Sequence, residues 1–183
     1  MSDPKNLIRL PHTGLQVPHT RYHLANFQQM EMTCGIAYNA SVYEGERIVG
    51  VIENKGNGGG TWFNPATYED NRAVHEFVTA CRVDDQTLYD GEALDHLITE
   101  HETAQEIAKC ARRRHTLIRG AYADGLPAVS VTFGTPPLWL QHPDSPVRSR
   151  VMGELKASDP DVTMWEFWTG NAWTPLTLPA DTE

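Results

Sequence analysis

The sequence predicts an α+β fold: an antiparallel sheet with two central helices packed on one face and an aromatic C-terminal extension. Three observations carry this. Residues 36–52 hold two β-patterned runs joined by a short turn. Residues 65–81 and 92–114 repeat apolar side chains at helical spacing. Residues 116–133 return to β-like patterning, so strands flank the helices instead of alternating with them. The expected organisation is an extended arm over 1–22, an α+β core over 23–157, and an aromatic strand or tail segment over 158–183.

The arm carries Pro4, Pro11 and Pro18 and shows no clean period. His12 and His19 lie in it and His23 directly follows it, and a solvated arm is a simpler expectation than a metal site, which needs supporting ligands. Residues 23–27 read as a short strand. Ile36, Tyr38, Ala40 and Val42 then share a period-2 face, as in a half-buried strand. Glu44-Gly45-Glu46 supplies a turn, where Gly45 takes positive φ without steric cost. Ile48 to Ile52 is the return strand.

Lys55-Gly56-Asn57-Gly58-Gly59-Gly60 follows, with four glycines in six residues. This composition excludes helix and offers no side chains to pack in a strand. Successive N–H groups in such a loop can form an anion nest. Asn64-Pro65 reads as N-cap and first helical residue, which would set the loop before a helix N-terminus, a favourable phosphate site. Against that, the spacing is neither G-x-x-x-x-G-K-[ST] nor G-x-G-x-x-G, and Glu69 and Asp70 near the helix start repel phosphate.

The helix expected over 65–81 carries Ala73, Val74, Phe77, Val78 and Cys81 on its apolar stripe. Residues 83–91 are a polar connection with turn-like Asp84-Asp85 and Asp90-Gly91. The longer helix, 92–114, is acidic at its start and ends in Lys109, Arg112, Arg113 and Arg114, matching its dipole at both ends. Residues 116–122 and 128–133 read as a hairpin around Asp124-Gly125. The expected sheet draws on residues 23–63 and 115–133. Leu138-Trp139-Leu140 is expected to cover an edge or the core, residues 147–157 to form a short helix, and 164–173 a hairpin.

Asn54-Lys55-Gly56-Asn57-Gly58-Gly59, placed after a hairpin, resembles the N-x-G-x-G-G pattern of small uncharacterised accessory proteins of phages and mobile elements. The basic strand start from Arg112 to Arg119 is similar too. The resemblance spans 27–119 at the level of pattern. It implies an accessory protein and brings no catalytic residues with it.

The net charge of −9 is unevenly placed. Residues 64–107 hold 2 basic and 11 acidic side chains, a net −9, while 108–123 hold 5 basic and none acidic. An acidic helical face and one compact basic patch are expected. No apolar run approaches the roughly 18 residues of a membrane span. The N-terminus lacks the apolar core of a secretion signal, so a cytoplasmic setting is expected, that of the host if the chain is phage-encoded. Three widely spaced cysteines, Cys34, Cys81 and Cys110, form neither a disulfide framework nor a C-x-x-C pair. His96 and Glu100 stand at i, i+4 but lack a third ligand.

No nucleophile–base motif is present, which leans against an enzyme and leaves the question open, and neither a metal nor a cofactor is expected. The leading expectation is a non-enzymatic acidic binding protein that engages a host protein or protein–nucleic-acid complex, in a counter-defence or inhibitor role. Its partner-binding candidates are Asp84, Asp85, Asp90, Glu92, Trp165, Trp168 and Trp173, since tryptophan is enriched at interfaces. An alternative is a nucleotide- or phosphate-binding protein or enzyme. It would use Asn54, Lys55, Gly56, Gly58, Gly59 and Gly60 opposite Arg112, Arg113, Arg114 and Arg119. A structural or virion-associated component is a second alternative. Direct nucleic-acid binding and membrane association are not expected, and homo-oligomerisation is left open.

Overall fold

A computed structural model describes residues 6–123, 125 and 127–177. The fold is α+β, with antiparallel sheets and helices. The chain divides into two compact units, 1–102 and 103–183, and the boundary falls inside a helix.

The first unit begins with β1 (Ile8–Arg9) and β2 (Gln16–Val17), which pair antiparallel within the segment expected as an arm. Leu15 and Val17 are fully buried. Each such burial contributes about 1.5–3 kcal/mol, enough to hold this short stretch in place. The next strands are β3 (Tyr22–Met32), β4 (Gly35–Glu44), β5 (Arg47–Lys55) and β6 (Trp62–Pro65), which form a sheet in that order. The expected turn at Gly45 is present, with φ of 61°. The strand expected over 23–27 runs on to Met32, so β3 and β4 make a long hairpin closed at Thr33-Cys34.

Then come α1 (Tyr68–Ala80), β7 (Arg82–Val83), β8 (Gln86–Thr87) and α2 (Asp90–Arg113). β7 and β8 join β1 and β2 in a small second sheet. Their turn residues Asp84 and Asp85 both take positive φ, 46° and 63°, a conformation that Asp tolerates in tight hairpins. Ala40, Val42, Val49 and Ile52 of the larger sheet pack with Val74, Phe77 and Val78 of α1 and Ala93, Leu94 and Ile98 of α2.

The helix start differs from expectation. Asn64 and Pro65 lie in β6, where Pro65 pairs with Gly50 at a sheet edge that tolerates a missing N–H. Thr67 is the N-cap of α1, its Oγ1 accepting from the Asp70 amide at 3.1 Å and donating to the Asp70 carboxylate at 2.7 Å. The cap that wins is the one with a reciprocal partner three residues on.

The second unit contains the end of α2, which closes with Arg114 in a left-handed conformation (φ 57°) and His115 N–H bonded to Cys110 O at 2.9 Å. It continues with β9 (Thr116–Ala121), β10 (Pro127–Phe133), α3 (Pro137–Gln141), α4 (Pro146–Ser158), β11 (Met164–Trp168) and β12 (Trp173–Pro175). The strands form a separate sheet in the order β10-β9-β11-β12. The single sheet expected from 23–63 and 115–133 is thus corrected: β9 and β10 pair with the aromatic C-terminal strands instead of with the N-terminal ones. The physical cause is the inner face. Ile118 and Val131 lie alongside Trp165 and Phe167 on one face of this sheet, which packs on a core shared with Leu140, Val151 and Leu155. Residues 137–141, expected as an edge or core cover, are the short helix α3, with Leu140 buried and Leu138 and Trp139 exposed. Asp124, expected in the β9–β10 turn, lies outside the described residues.

Candidate functional site

The glycine loop is built around one side chain. Asn54 stands opposite Tyr38 on the core face of the sheet. Its Oδ1 accepts from the Gly56 amide at 2.9 Å, and its Nδ2 donates to Thr61 Oγ1 at 3.1 Å and Gly59 O at 3.4 Å. Asn54 thus ties both ends of the loop together. Thr61 is buried and lies 2.5 Å from the Tyr38 hydroxyl. Both hydroxyls donate to the same Asp95 carboxylate oxygen on α2.

Burial, and then the bond to Asp95, push the Tyr38 phenol up to about 12 from its ordinary 10.0. A raised folded-state value means a contribution present in full below pH 10 and lost as pH climbs from there towards 12. Tyr38→Phe should therefore flatten part of the alkaline loss. Urea unfolding of parent and variant across that window checks it, and parallel curves would show that the network carries no such linkage.

The nest geometry differs from the phosphate expectation. The amides of Gly56 and Gly59 are already bonded, to Asn54 and Asn57 at 2.9 and 3.2 Å. The loop runs into β6, not into a helix. The α1 N-terminus carries its own carboxylate: Asp70, ion-paired to Arg47 at 2.7 Å. Thr67 and then Arg47 hold that carboxyl below the usual range. A phosphate there would meet a negative charge where the dipole is already compensated.

Beside the loop, on the outer face of the sheet, lies a groove of about 470 Å³ lined by Glu53, Lys55, Asn57, Gly59, Trp62 and Asn64. Glu53 pairs with Trp62 across β5 and β6, and with Asn39 on the other side. Trp62 is 61% exposed, an aromatic platform flanked by two amides and one charge of each sign. Sequence reading passed over Trp62 because the segment looked like the approach to a helix.

The remaining candidates fall in different places. Lys55, Gly58 and Gly60 are exposed with the loop in the first unit. Arg112, Arg113 and Arg114 are exposed at the end of α2, in the second unit. Arg119 is engaged there: Nε and a terminal nitrogen donate to Glu166 at 2.9 and 2.7 Å, and the guanidinium stacks 4.1 Å from the Trp173 ring. Trp173 meets Trp168 edge-on at 5.4 Å, and Trp165 is buried in the second core.

The acidic candidates are all held. Asp84 pairs with Arg9 at 3.5 Å, and the Asp85 carboxylate accepts from the Gln16 side-chain amide at 3.3 Å while the Asp85 backbone N–H donates to Gln16 Oε1 at 3.2 Å. Asp90 pairs with His75 at 3.0 Å, and Glu92 accepts from the Tyr89 amide as the far half of a helix cap. Two exposed tyrosines stand at the starts of the two helices. Tyr68, two turns before His75 on α1, is 77% exposed, and Tyr89, just before Asp90, is 82% exposed. Sequence spacing did not reveal either, because exposure of a helix-end tyrosine is set by packing.

Among the described residues no group of three or more His, Cys, Asp and Glu side chains is disposed to hold a metal ion. His12, expected in a solvated arm, is instead packed: its amide donates to Glu100 at 3.0 Å, and so does that of Thr13 at 2.8 Å. Burial pushes the Cys81 thiol up to about 12, which leaves it inert as a nucleophile. No described helix is long and apolar enough to cross a membrane. No protein-family profile, curated protein or solved structure matches this chain.

Proposed function

We propose that this chain is a binding protein, of the accessory kind that phages and mobile elements direct at a host, and that it captures a basic macromolecular partner on the surface around the start of α2. The carrying observation is the pairing of fixed exposed carboxylates with an exposed tyrosine: Asp90 is held by His75, Glu92 caps α2 through the Tyr89 amide, and Tyr89 is itself exposed, as is Tyr68 two turns before His75 on α1. Tyrosine gives large contact area at small entropic cost, and it dominates interface energetics when water is excluded around it. The surrounding charge steers a cationic surface, such as a protein groove that ordinarily holds nucleic acid. Residues 54–59 support the accessory-protein class through their resemblance.

Affinity capture from a bacterial lysate identifies the partner, and Tyr89→Ala then tests the site. An interface anchor of this kind is worth about 2 kcal/mol or more, so dissociation should quicken on the order of 30-fold. Dissociation unchanged by both Tyr89→Ala and Tyr68→Ala would remove this face from the reading.

The groove beside the glycine loop favours a second reading, a small-ligand site. In it a ligand stacks on Trp62 with Lys55 and Asn57 at the rim, in place of a backbone nest. A thermal-shift panel of nucleotides and inorganic phosphate decides it. A ligand at 100 times its Kd would stabilise by about 2.7 kcal/mol, and Trp62→Ala should abolish that shift.

A further inference from the structure

The tip of the β3–β4 hairpin carries three sulfur-bearing side chains, all of them exposed. Met30 and Met32 are two residues apart on β3, so their side chains leave the same face of the sheet. Their cross-strand partners are Ala37 and Gly35, two of the smallest residues, and Gly56 of the glycine loop passes over Gly35 beside the Met32 side chain. Cys34 sits in the two-residue turn between them and is exposed. Met30 is 66% exposed and Met32 49% exposed. Neither methionine belongs to a core cluster, although methionine is ordinarily a core residue.

We propose that Met30, Met32 and Cys34 form a binding site for one monovalent soft metal ion, copper(I) by ligand chemistry. Thioether and thiolate sulfur select copper(I) over the harder divalent ions. Glu31 points to the opposite face by strand alternation, while Lys55, across Ala37 on β5, and Glu53 two residues before it share the methionine face. The strand fixes the two methionine roots about 6.6 Å apart. Three rotatable bonds in each side chain let the sulfurs converge on one ion. Thiolate and ion neutralise each other, and the bound thiol gives up its proton on binding.

Silver(I) is the probe, a redox-inert ion with the same ligand preference. The full chain, labelled at the methionine methyl groups, is titrated with silver(I) and followed by NMR. The methyl signals of Met30 and Met32 should move together and saturate at one ion per chain, while exposed Met164 and buried Met152 stay in place. Loss of a supporting group costs a metal site about 10- to 100-fold in affinity, so Cys34→Ser and the Met30→Leu, Met32→Leu pair should each weaken binding at least that much. Leucine matches methionine in volume and both sites are exposed, so the variants keep the fold. Undiminished binding in the methionine pair would reduce the site to a lone thiol. Static methyl signals would overturn it outright.

Discussion

Replacing Arg148 with methionine should cost the second unit about 2–4 kcal/mol, the largest loss expected from one side chain there. Arg148 is buried, and its guanidinium meets carbonyl oxygens instead of a carboxylate. Nε donates to Thr177 O and one terminal nitrogen to Leu140 O, both at 2.7 Å, while the other reaches Pro175 O at 3.4 Å. One side chain on α4 therefore ties together the end of α3 and the chain after β12. Burial holds its pKa below the ordinary arginine value, yet the group stays charged at any working pH. Methionine fills part of the volume and leaves these acceptors without donors. Lysine keeps the charge but has no planar fork, so Arg148→Lys should recover less than half of the loss. Urea unfolding of the three chains measures this. Equal stability of parent and methionine variant would mean that water satisfies the carbonyls as well as the guanidinium does.

The second large effect lies in the glycine loop. At Gly56 an added Cβ would stand 2.6 Å from the Ala37 amide nitrogen and 2.9 Å from the Ile36 carbonyl carbon, both backbone atoms of a paired strand. Its φ of 64° adds the left-handed cost of about 1–2 kcal/mol for a side chain. Gly56→Ala should therefore destabilise by about 2–4 kcal/mol. Gly58 has φ of 82° but open space around it, so Gly58→Ala should cost about 1 kcal/mol. Gly60 has neither constraint, and Gly60→Ala should fall within about 0.5 kcal/mol of the parent. The ranking is the test. Equal losses at all three positions would mean that loop flexibility, not close approach at Gly56, is what the glycines supply.

This ranking also explains how far the sequence could be read. The β4–β5 hairpin was legible because alternation over Ile36 to Val42 and the turn at Gly45 are local signals. The stripes of α1 and α2 were legible for the same reason. The density of glycine after Lys55 was visible too, but its cause was not. Gly56 is needed because β4 passes against it, a contact between residues about twenty apart in sequence. The helix start expected at Asn64-Pro65 lies elsewhere, because a plausible local cap lost to sheet pairing with β5 and to the reciprocal Thr67–Asp70 cap. The separation of β9 and β10 from the first sheet was hidden for a related reason. Strand patterns reveal which face is apolar but not which strand stands alongside, and Trp165 and Phe167 supplied the partner. Among site residues, Asp84, Asp85, Asp90 and Glu92 were visible as charge. Their fixing partners Arg9, Gln16, His75 and the Tyr89 amide were not, and neither was the Tyr38–Thr61–Asp95 network behind the loop.

The central claim is that an acidic, tyrosine-bordered face of the first unit engages a basic partner. The most direct measurement is the association rate with the captured partner, taken for the parent and for Asp84→Asn, Asp85→Asn, Asp90→Asn, Glu92→Gln combined, at low and at physiological salt. Electrostatic steering raises association rates by about 10- to 1,000-fold. The parent should therefore associate at least tenfold faster at low salt, and the neutralised variant should lose both that advantage and its salt dependence. Equal rates and equal salt dependence in the two chains would contradict the claim, because capture would then run through some other surface.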